Sequence, residues 1–499
     1  MLGDRKFLTK SYARPHLLRW RPTRRARQAG ALLFSIGLLA VLIVKESKLL
    51  SGATQMVTVQ PNIVVIMTDD QTAKSIRFMP KTLALIGKRG TTFSNSFVSH
   101  PWCCPSRATF FTGQYPHNHD IWNSKLPRGG YAKLDPTNTL PVWLQQAGYY
   151  TSHIGKYVNG YGLDDPTEVP PGWGHWQGLV DPSTYRMYDY TINDNGTLVH
   201  YGKAPQDYQT DVLATRAEQT IGEAVRLNQP FFISIAPVAP HAELIENMPG
   251  PRAAPRDLGA FAKQPLPRPP SFNERDVSDK PRQIRILPLL DKSAVKEITG
   301  RYRDRLASLL AVDDLVARVV RKLAATGVLN NTVIIFTSDN GFFQGEHRIP
   351  NEKEKVYEES VRVPLLIRGG GFPIGATASQ VVANVDLAPT IVQLAGAIPH
   401  FMEVDGRPLL PLARDPKLGV HRDLLIETLT YEAVRNESFV YAEYKTGERE
   451  LYDLRRGAVN YDPFELQSRH AASAYAGIKA RLAAELDRLR TCSGMSCRM

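Results

Sequence analysis

From residue 60 onward, short runs of mostly apolar residues alternate with stretches in which apolar positions recur every three to four residues. The runs at 62–67, 150–154, 231–236, 332–337 and 363–367 read as strands buried on both faces, and 140–147, 302–325 and 385–395 read as helices, the second closed by Gly327. Such alternation predicts an α/β fold with a mainly parallel central sheet flanked by helices. The texture changes after about Gly406. There 439–444 and 449–454 read as a hairpin across Lys445-Thr446-Gly447-Glu448, and 471–490 as an amphipathic helix. This predicts a smaller C-terminal α+β subdomain with a short antiparallel sheet, at 406–499, beside a large domain at 58–405. Residues 249–288 break the pattern with nine prolines, eight Lys/Arg and four acids, so we expect a long surface excursion.

Composition narrows this picture. With 43% apolar residues among 499, disordered and fibrous classes are excluded, and four cysteines exclude a disulfide scaffold. The net charge of +12 is concentrated: residues 1–28 carry nine Lys/Arg against Asp4, the excursion carries +4, and the rest balances to zero. A generally basic, nucleic-acid-binding surface is therefore not expected. Residues 29–44 are uncharged and end at Lys45. We read 1–28 as a basic cytoplasmic tail and 29–48 as a signal anchor, or a signal peptide if cleaved near Ser51-Gly52-Ala53. Everything after residue 45 would then be extracytoplasmic: membrane-anchored at a cell surface or in a periplasm, or secreted. Cys492 and Cys497 are close enough to form a bridge in an oxidising compartment.

The candidate chemistry sits where strands end. Thr68-Asp69-Asp70-Gln71 and Ser338-Asp339-Asn340-Gly341 each follow an apolar run, and the C-terminal edge of an open α/β sheet is where ligands bind. Three carboxylates and one amide oxygen, without His or Cys among them, suit a hard cation, Ca²⁺ or Mg²⁺. Taken singly, each acid pair could be only a turn or a helix cap. Between them lies Pro101-Trp102-Cys103-Cys104-Pro105-Ser106-Arg107, with two adjacent thiols, a proline that can start a helix, and an arginine one turn on. A buried cysteine pair or a vicinal disulfide would be the purely structural alternatives.

Cys103-X-Pro105-Ser106-Arg107 followed by Thr112-Gly113 resembles the signature of the type I sulfatases, within the alkaline phosphatase-like fold. The resemblance extends over roughly 60–410 through Asp69-Asp70, Gly155-Lys156-Tyr157, Pro240-His241, Asp339-Asn340-Gly341, and Lys353 with Tyr357-Glu358. It implies hydrolysis of sulfate esters of carbohydrate or aryl type, with Cys103 converted to formylglycine by a formylglycine-generating enzyme. One hydroxyl of the hydrated aldehyde would attack sulfur, and the second would expel sulfate. The implied cation ligands are Asp69, Asp70, Asp339, Asn340 and modified Cys103. The implied catalytic residues are Cys103, Arg107, Lys156, Lys353 and His241, the last protonating the leaving alcohol. Lys353 is taken over Lys355 for its spacing to Tyr357.

There is one departure. Many members have a histidine two residues after Lys156, where Val158 stands here; that form is similar to the N-acetylglucosamine-6-sulfatase and extracellular endosulfatase branch. His119 is the candidate replacement as a substrate contact, ahead of His117 and His347. Two other functions fit the same residues: a phosphomonoester or phosphonate hydrolase, and a non-catalytic, membrane-anchored sulfoglycan-binding protein with an unmodified thiol. We also expect the basic excursion to border the cleft and attract sulfated small molecules or glycans.

Overall fold

The computed structural model describes residues 60–244, 250–399, 403–419 and 421–499, so the expected tail and the 29–48 segment lie outside the described residues. Among the described residues no helix is long and apolar enough to cross a membrane. Residues 60–499 form one compact unit.

A ten-stranded sheet organises that unit, in the order β10 (Ala376–Ala383), β2 (Thr91–Phe97), β9 (Leu365–Arg368), β8 (Thr332–Ser338), β1 (Asn62–Thr68), β7 (Phe231–Ala236), β3 (Tyr150–Gly155), β4 (His175–Leu179), β5 (Tyr190–Asp194) and β6 (Thr197–Tyr201). The central block from β8 to β4 is parallel; β9 runs antiparallel between β8 and β2, and β5 and β6 close the far edge as an antiparallel pair. The sheet is thus mixed but mostly parallel, as expected.

Successive residues of β1 serve opposite faces, the period of a strand. Ile63, Val65 and Met67 join one apolar core with Phe111, Trp143 and Trp173, under the helices Cys103–Thr112, Leu140–Gln146 and Leu387–Ala395. Val64 and Ile66 join the other, with Leu213, Val312 and Leu315 from the helices Gln209–Arg226 and Lys292–Ala325. Burial on both faces is why these strands read as continuous apolar runs.

The strand expected at 363–367 begins instead at Leu365, because Pro364 cannot donate to a ladder. The long helix begins ten residues earlier than expected, at Lys292, where the Asp291 side chain accepts the Ala294 N–H. Near the C-terminus, β11 (Leu424–Glu427), β12 (Tyr431–Arg435), β13 (Phe439–Tyr444) and β14 (Arg449–Asp453) form an antiparallel sheet. The helix Ala476–Leu489 buries Leu482, Leu486 and Leu489 in a core shared with Phe97 and Tyr357 of the large sheet's side, so the smaller layer is packed on the larger. Cys492 and Cys497 are disulfide-bonded. Residues 250–288 contain the short helical turns Pro255–Asp257 and Arg282–Arg285 and one isolated bridge, Phe272 to Glu346, in place of longer elements.

Candidate active site

The parallel register sets Thr68 beside Ser338, so the two acidic segments leave neighbouring strands at the same edge. Asp70 takes a left-handed backbone (φ 66°), a strained state for a non-glycine residue, and its N–H donates to Asp339 Oδ1 at 3.1 Å. Asn340 Nδ2 donates to Asp70 Oδ1 at 2.6 Å, and Arg305, from the long helix, donates to the Asp70 carbonyl. Sequence reasoning missed Arg305, whose buried guanidinium is not distinguishable in a helical pattern from a solvated one.

Cys103 opens a helix in which all ten residues are buried, capped by extended Trp102 and closed by left-handed Gly113. Both Cys103 and Cys104 are free thiols, which removes the vicinal disulfide. Arg107, one turn on, lies on the same helix face. Its Nε donates to Asp339 Oδ2 at 2.8 Å and Nη1 to the Lys156 carbonyl at 2.8 Å, while Nη2 stands 4.0 Å from Asp69 Oδ2. Lys156 is turned inward at the end of β3 by Gly155 (φ 107°), where a Cβ would stand 2.3 Å from the Ala236 carbonyl oxygen. Its Nζ meets Asp69 Oδ2 at 2.5 Å, and Lys353 Nζ meets Asp70 Oδ1 at 2.5 Å. Lys355 turns instead to Glu352. His241 Nδ1 donates to the Ala242 carbonyl at 2.7 Å, since that oxygen can only accept, which leaves Nε2 facing Asp70 Oδ2 at 3.6 Å.

Burial alone would raise all three carboxyls, and their neighbours decide the outcome. Lys156, His241 and Arg107 hold Asp69 well below its ordinary value, and Lys353 and His241 lower Asp70. Asp339 is pushed up to about 6 by burial and the Asp69 charge, against Arg107. Asp69 Oδ1 and Asn340 Oδ1 are buried without a hydrogen-bond partner. Unpaired hard oxygens converging from two strand ends fit the divalent cation that the sequence implies.

Asp70, Cys103, His241 and Lys353 line a cleft of about 690 Å³ together with Trp102, Asn159 and Tyr185, and Asp69, Asp339, Asn340, Arg107 and Lys156 lie behind them, joined to them or to one another by the contacts above. A larger cavity of about 810 Å³ contains none of the candidate catalytic residues, and we place the chemistry in the smaller one. Pro267, Arg268 and Pro269 of the excursion line the larger cavity, whereas nothing from 250–288 lines the cleft. The expectation that the excursion borders the cleft is therefore corrected. Arg256 is occupied by Asp211, and Arg252 lies 3.0 Å from Glu243.

The expectation for His119 is also corrected. Its Nε2 bonds Thr109 Oγ1 at 3.1 Å, its Nδ1 accepts the Ile121 N–H, and burial lowers its pKa to about 3, so it is a neutral packing residue outside the cleft. His117 bonds Glu427 and the Cys492 carbonyl, and His347 Nδ1 bonds Glu274 at 2.7 Å. Burial pushes Glu274 up to about 7 from an ordinary 4.5, despite Lys280 3.6 Å away. The folded state therefore holds a proton that the unfolded chain releases, so this group's stabilising share, full below about pH 4.5, is lost as pH rises through 7. Relative to wild type, Glu274→Gln should flatten the fall in unfolding free energy between pH 5 and 8 measured with urea; equal slopes would refute this.

Comparisons with known proteins identify the family of the chain. A family model described as Sulfatase matches residues 61–397, and one described as N-sulphoglucosamine sulphohydrolase, C-terminal, matches 345–492. The N-acetylglucosamine-6-sulfatase of Homo sapiens is 38% identical over 382 residues, 74% of this chain and 67% of that protein. The arylsulfatase of Volvox carteri is 36% identical over 498 residues, 88% of this chain and 76% of that one. The chain thus spans about two thirds to three quarters of the length of these relatives. A protein solved in complex with its substrate D-glucosamine-2-N,6-O-disulfate shares the fold, with a TM-score of 0.70 at 24% identity, covering 88% of this chain and 98% of that chain.

Proposed function

The chain belongs to the sulfatase family and is a sulfuric ester hydrolase, and from that premise we propose that it removes sulfate from a carbohydrate ester, using a formylglycine made from Cys103 and a divalent cation, Ca²⁺ or Mg²⁺. The observation that carries this is a single buried cluster in which Asp69, Asp70, Asp339, Asn340, Arg107 and Lys156 are linked by hydrogen bonds and ion pairs and which opens on the cleft through Asp70, Cys103, Lys353 and His241. When present, the cation supplies Lewis acidity and the aldehyde a hydrated carbonyl able to release sulfate.

The protein's own groups do the rest. Asp69, Asp70, Asp339 and Asn340 would hold the cation, Asp70 being fixed by Asn340 and Arg305. Arg107, locked to Asp339 and to the Lys156 carbonyl, presents a rigid cationic fork beside position 103. Lys156 and Lys353 carry raised pKa values, because Asp69 and Asp70 outweigh the effect of burial, so both bring full positive charge to sulfate oxygens. His241 holds its Nδ1 proton on the Ala242 carbonyl, so it would protonate the leaving alcohol only as the imidazolium, with a second proton on Nε2; burial lowers its pKa and disfavours that form, while Asp70, 3.6 Å from Nε2, and Asp69 favour it. Trp102, Leu163 and Leu244 give the cleft an apolar wall of a size that suits a sugar ring. The amino sugar named for the human relative makes 6-sulfated N-acetylglucosamine the first substrate to try.

Turnover of sulfated monosaccharides, aryl sulfates and aryl phosphates, on material whose Cys103 modification is measured by mass spectrometry, tests the reading. Sulfate esters should be preferred; faster phosphate turnover, or an unmodified thiol with no turnover, would overturn it. Chelation should abolish activity, and Ca²⁺ or Mg²⁺ at about 100 times its Kd should restore it and raise the unfolding free energy by about 2.7 kcal/mol. Unchanged activity after exhaustive chelation would exclude the cation. The Cys492–Cys497 bridge supports an extracytoplasmic location, whether the chain is anchored through residues 29–48 or secreted after cleavage of that segment.

A further inference from the structure

We propose that the Tyr185 hydroxyl donates a hydrogen bond to the reacting oxygens at position 103, serving in place of the histidine that Val158 replaces. The inference rests on the sulfatase reading of the site. Val158 is buried in the apolar core with Phe111, Tyr157 and Trp176, so its side chain does not reach the cleft. His119, His117 and His347 are each committed elsewhere. Tyr185 does line the cleft, through a loop 82 residues after Cys103.

Its contacts separate a role in the reaction from one in packing. Asn159 Nδ2 donates to the Tyr185 hydroxyl oxygen at 2.6 Å, which leaves the phenol's single proton to be given away. The acceptor within reach is Cys103 Sγ, 4.0 Å away. That sulfur marks where an oxygen of the modified side chain stands. The ring supports the same geometry: Lys156 Nζ lies 4.7 Å from its centroid, and the His241 ring is 4.5 Å away, centroid to centroid. One side chain thus touches the nucleophile position, one of the two lysines offered to sulfate, and the proton donor. Asn159 directs the hydroxyl and is a positioning residue.

Tyr185→Phe keeps the ring and removes only the hydroxyl. At equal formylglycine content by mass spectrometry, kcat should fall on the order of 10- to 100-fold with KM within about threefold, because the lost donor acts on the nucleophile and not on substrate binding. A readout independent of turnover is oxime formation with a small aminooxy reagent, which condenses with the free aldehyde and releases water. A donor that favours the hydrated form should slow this labelling, so Tyr185→Phe should label several-fold faster than wild type. Wild-type kcat and labelling in the variant, or a kcat loss matched by lost formylglycine, would overturn the proposal while leaving the sulfatase reading intact. A wild-type protein without aldehyde or turnover would instead overturn that reading. If Tyr185→Phe does not fold, Asn159→Ala carries the test: freeing the hydroxyl should change kcat and labelling in the same directions, and wild-type values would refute the role.

Discussion

Replacing Cys103 by alanine is expected to lower kcat by on the order of 10⁴-fold or more with little change in stability, because the side chain that carries the nucleophile is removed while its neighbours keep their partners. The substitution is mild for the fold. Cys103 accepts only a long contact from Tyr185, and the helix it opens is anchored elsewhere: Asn384 Nδ2 donates to Ser106 Oγ at 2.9 Å, and Arg107 spans to Asp339. The check is kcat on a sulfate ester beside a thermal melt. A variant that melts like wild type and retains more than about a hundredth of its kcat would sink the assignment of position 103 as nucleophile.

Arg107→Ala should be inactive for a different reason, and it should also destabilise the chain by about 3–5 kcal/mol in chelator-treated protein. Arg107 has a side chain only 2% exposed and is the direct partner of buried Asp339, with Asp69 close by. Without it, Asp339 is left beside Asp69 with its nearest counter-charge gone. Lys353 also pairs with a buried carboxylate, but its side chain is 15% exposed, so water can take over part of its role. Lys353→Ala should therefore cost less stability than Arg107→Ala. Urea unfolding of both variants orders the two effects, and an Arg107→Ala protein at least as stable as Lys353→Ala would show that the Arg107 bridge contributes little.

The parts of this site that the sequence disclosed are those where backbone geometry alone fixes position. Asp69-Asp70 and Asp339-Asn340 follow strands buried on both faces, so their apolar runs and the acids beyond them stand out. Helical spacing placed Arg107 one turn from Cys103, but its role, like those of Lys156, Lys353 and His241, came from the family resemblance. By contrast β2 (TTFSNSF) and β10 (ATASQVVA) carry polar residues at many positions and pass unnoticed, although they flank the block that holds the site. Tyr185 offers no local signal at all, since an irregular segment delivers it and only the folded chain puts it on Lys156 and His241. His119 misled for the opposite reason: it was a candidate for the contact missing at Val158, but its partner, Thr109, belongs to the very helix that Cys103 begins.

The distance along the chain between the two acidic segments has a consequence for the order of events during synthesis. Asp70 and Asp339 are 269 residues apart, yet they meet across neighbouring strands, and contacts of such separation form slowly and late. Cys103 lies between them in sequence, nearer the first, and ends 3% exposed in the folded chain. On the proposed reading, an enzyme that converts this thiol to an aldehyde would have its freest access to it while the nascent chain still waits for its eighth strand.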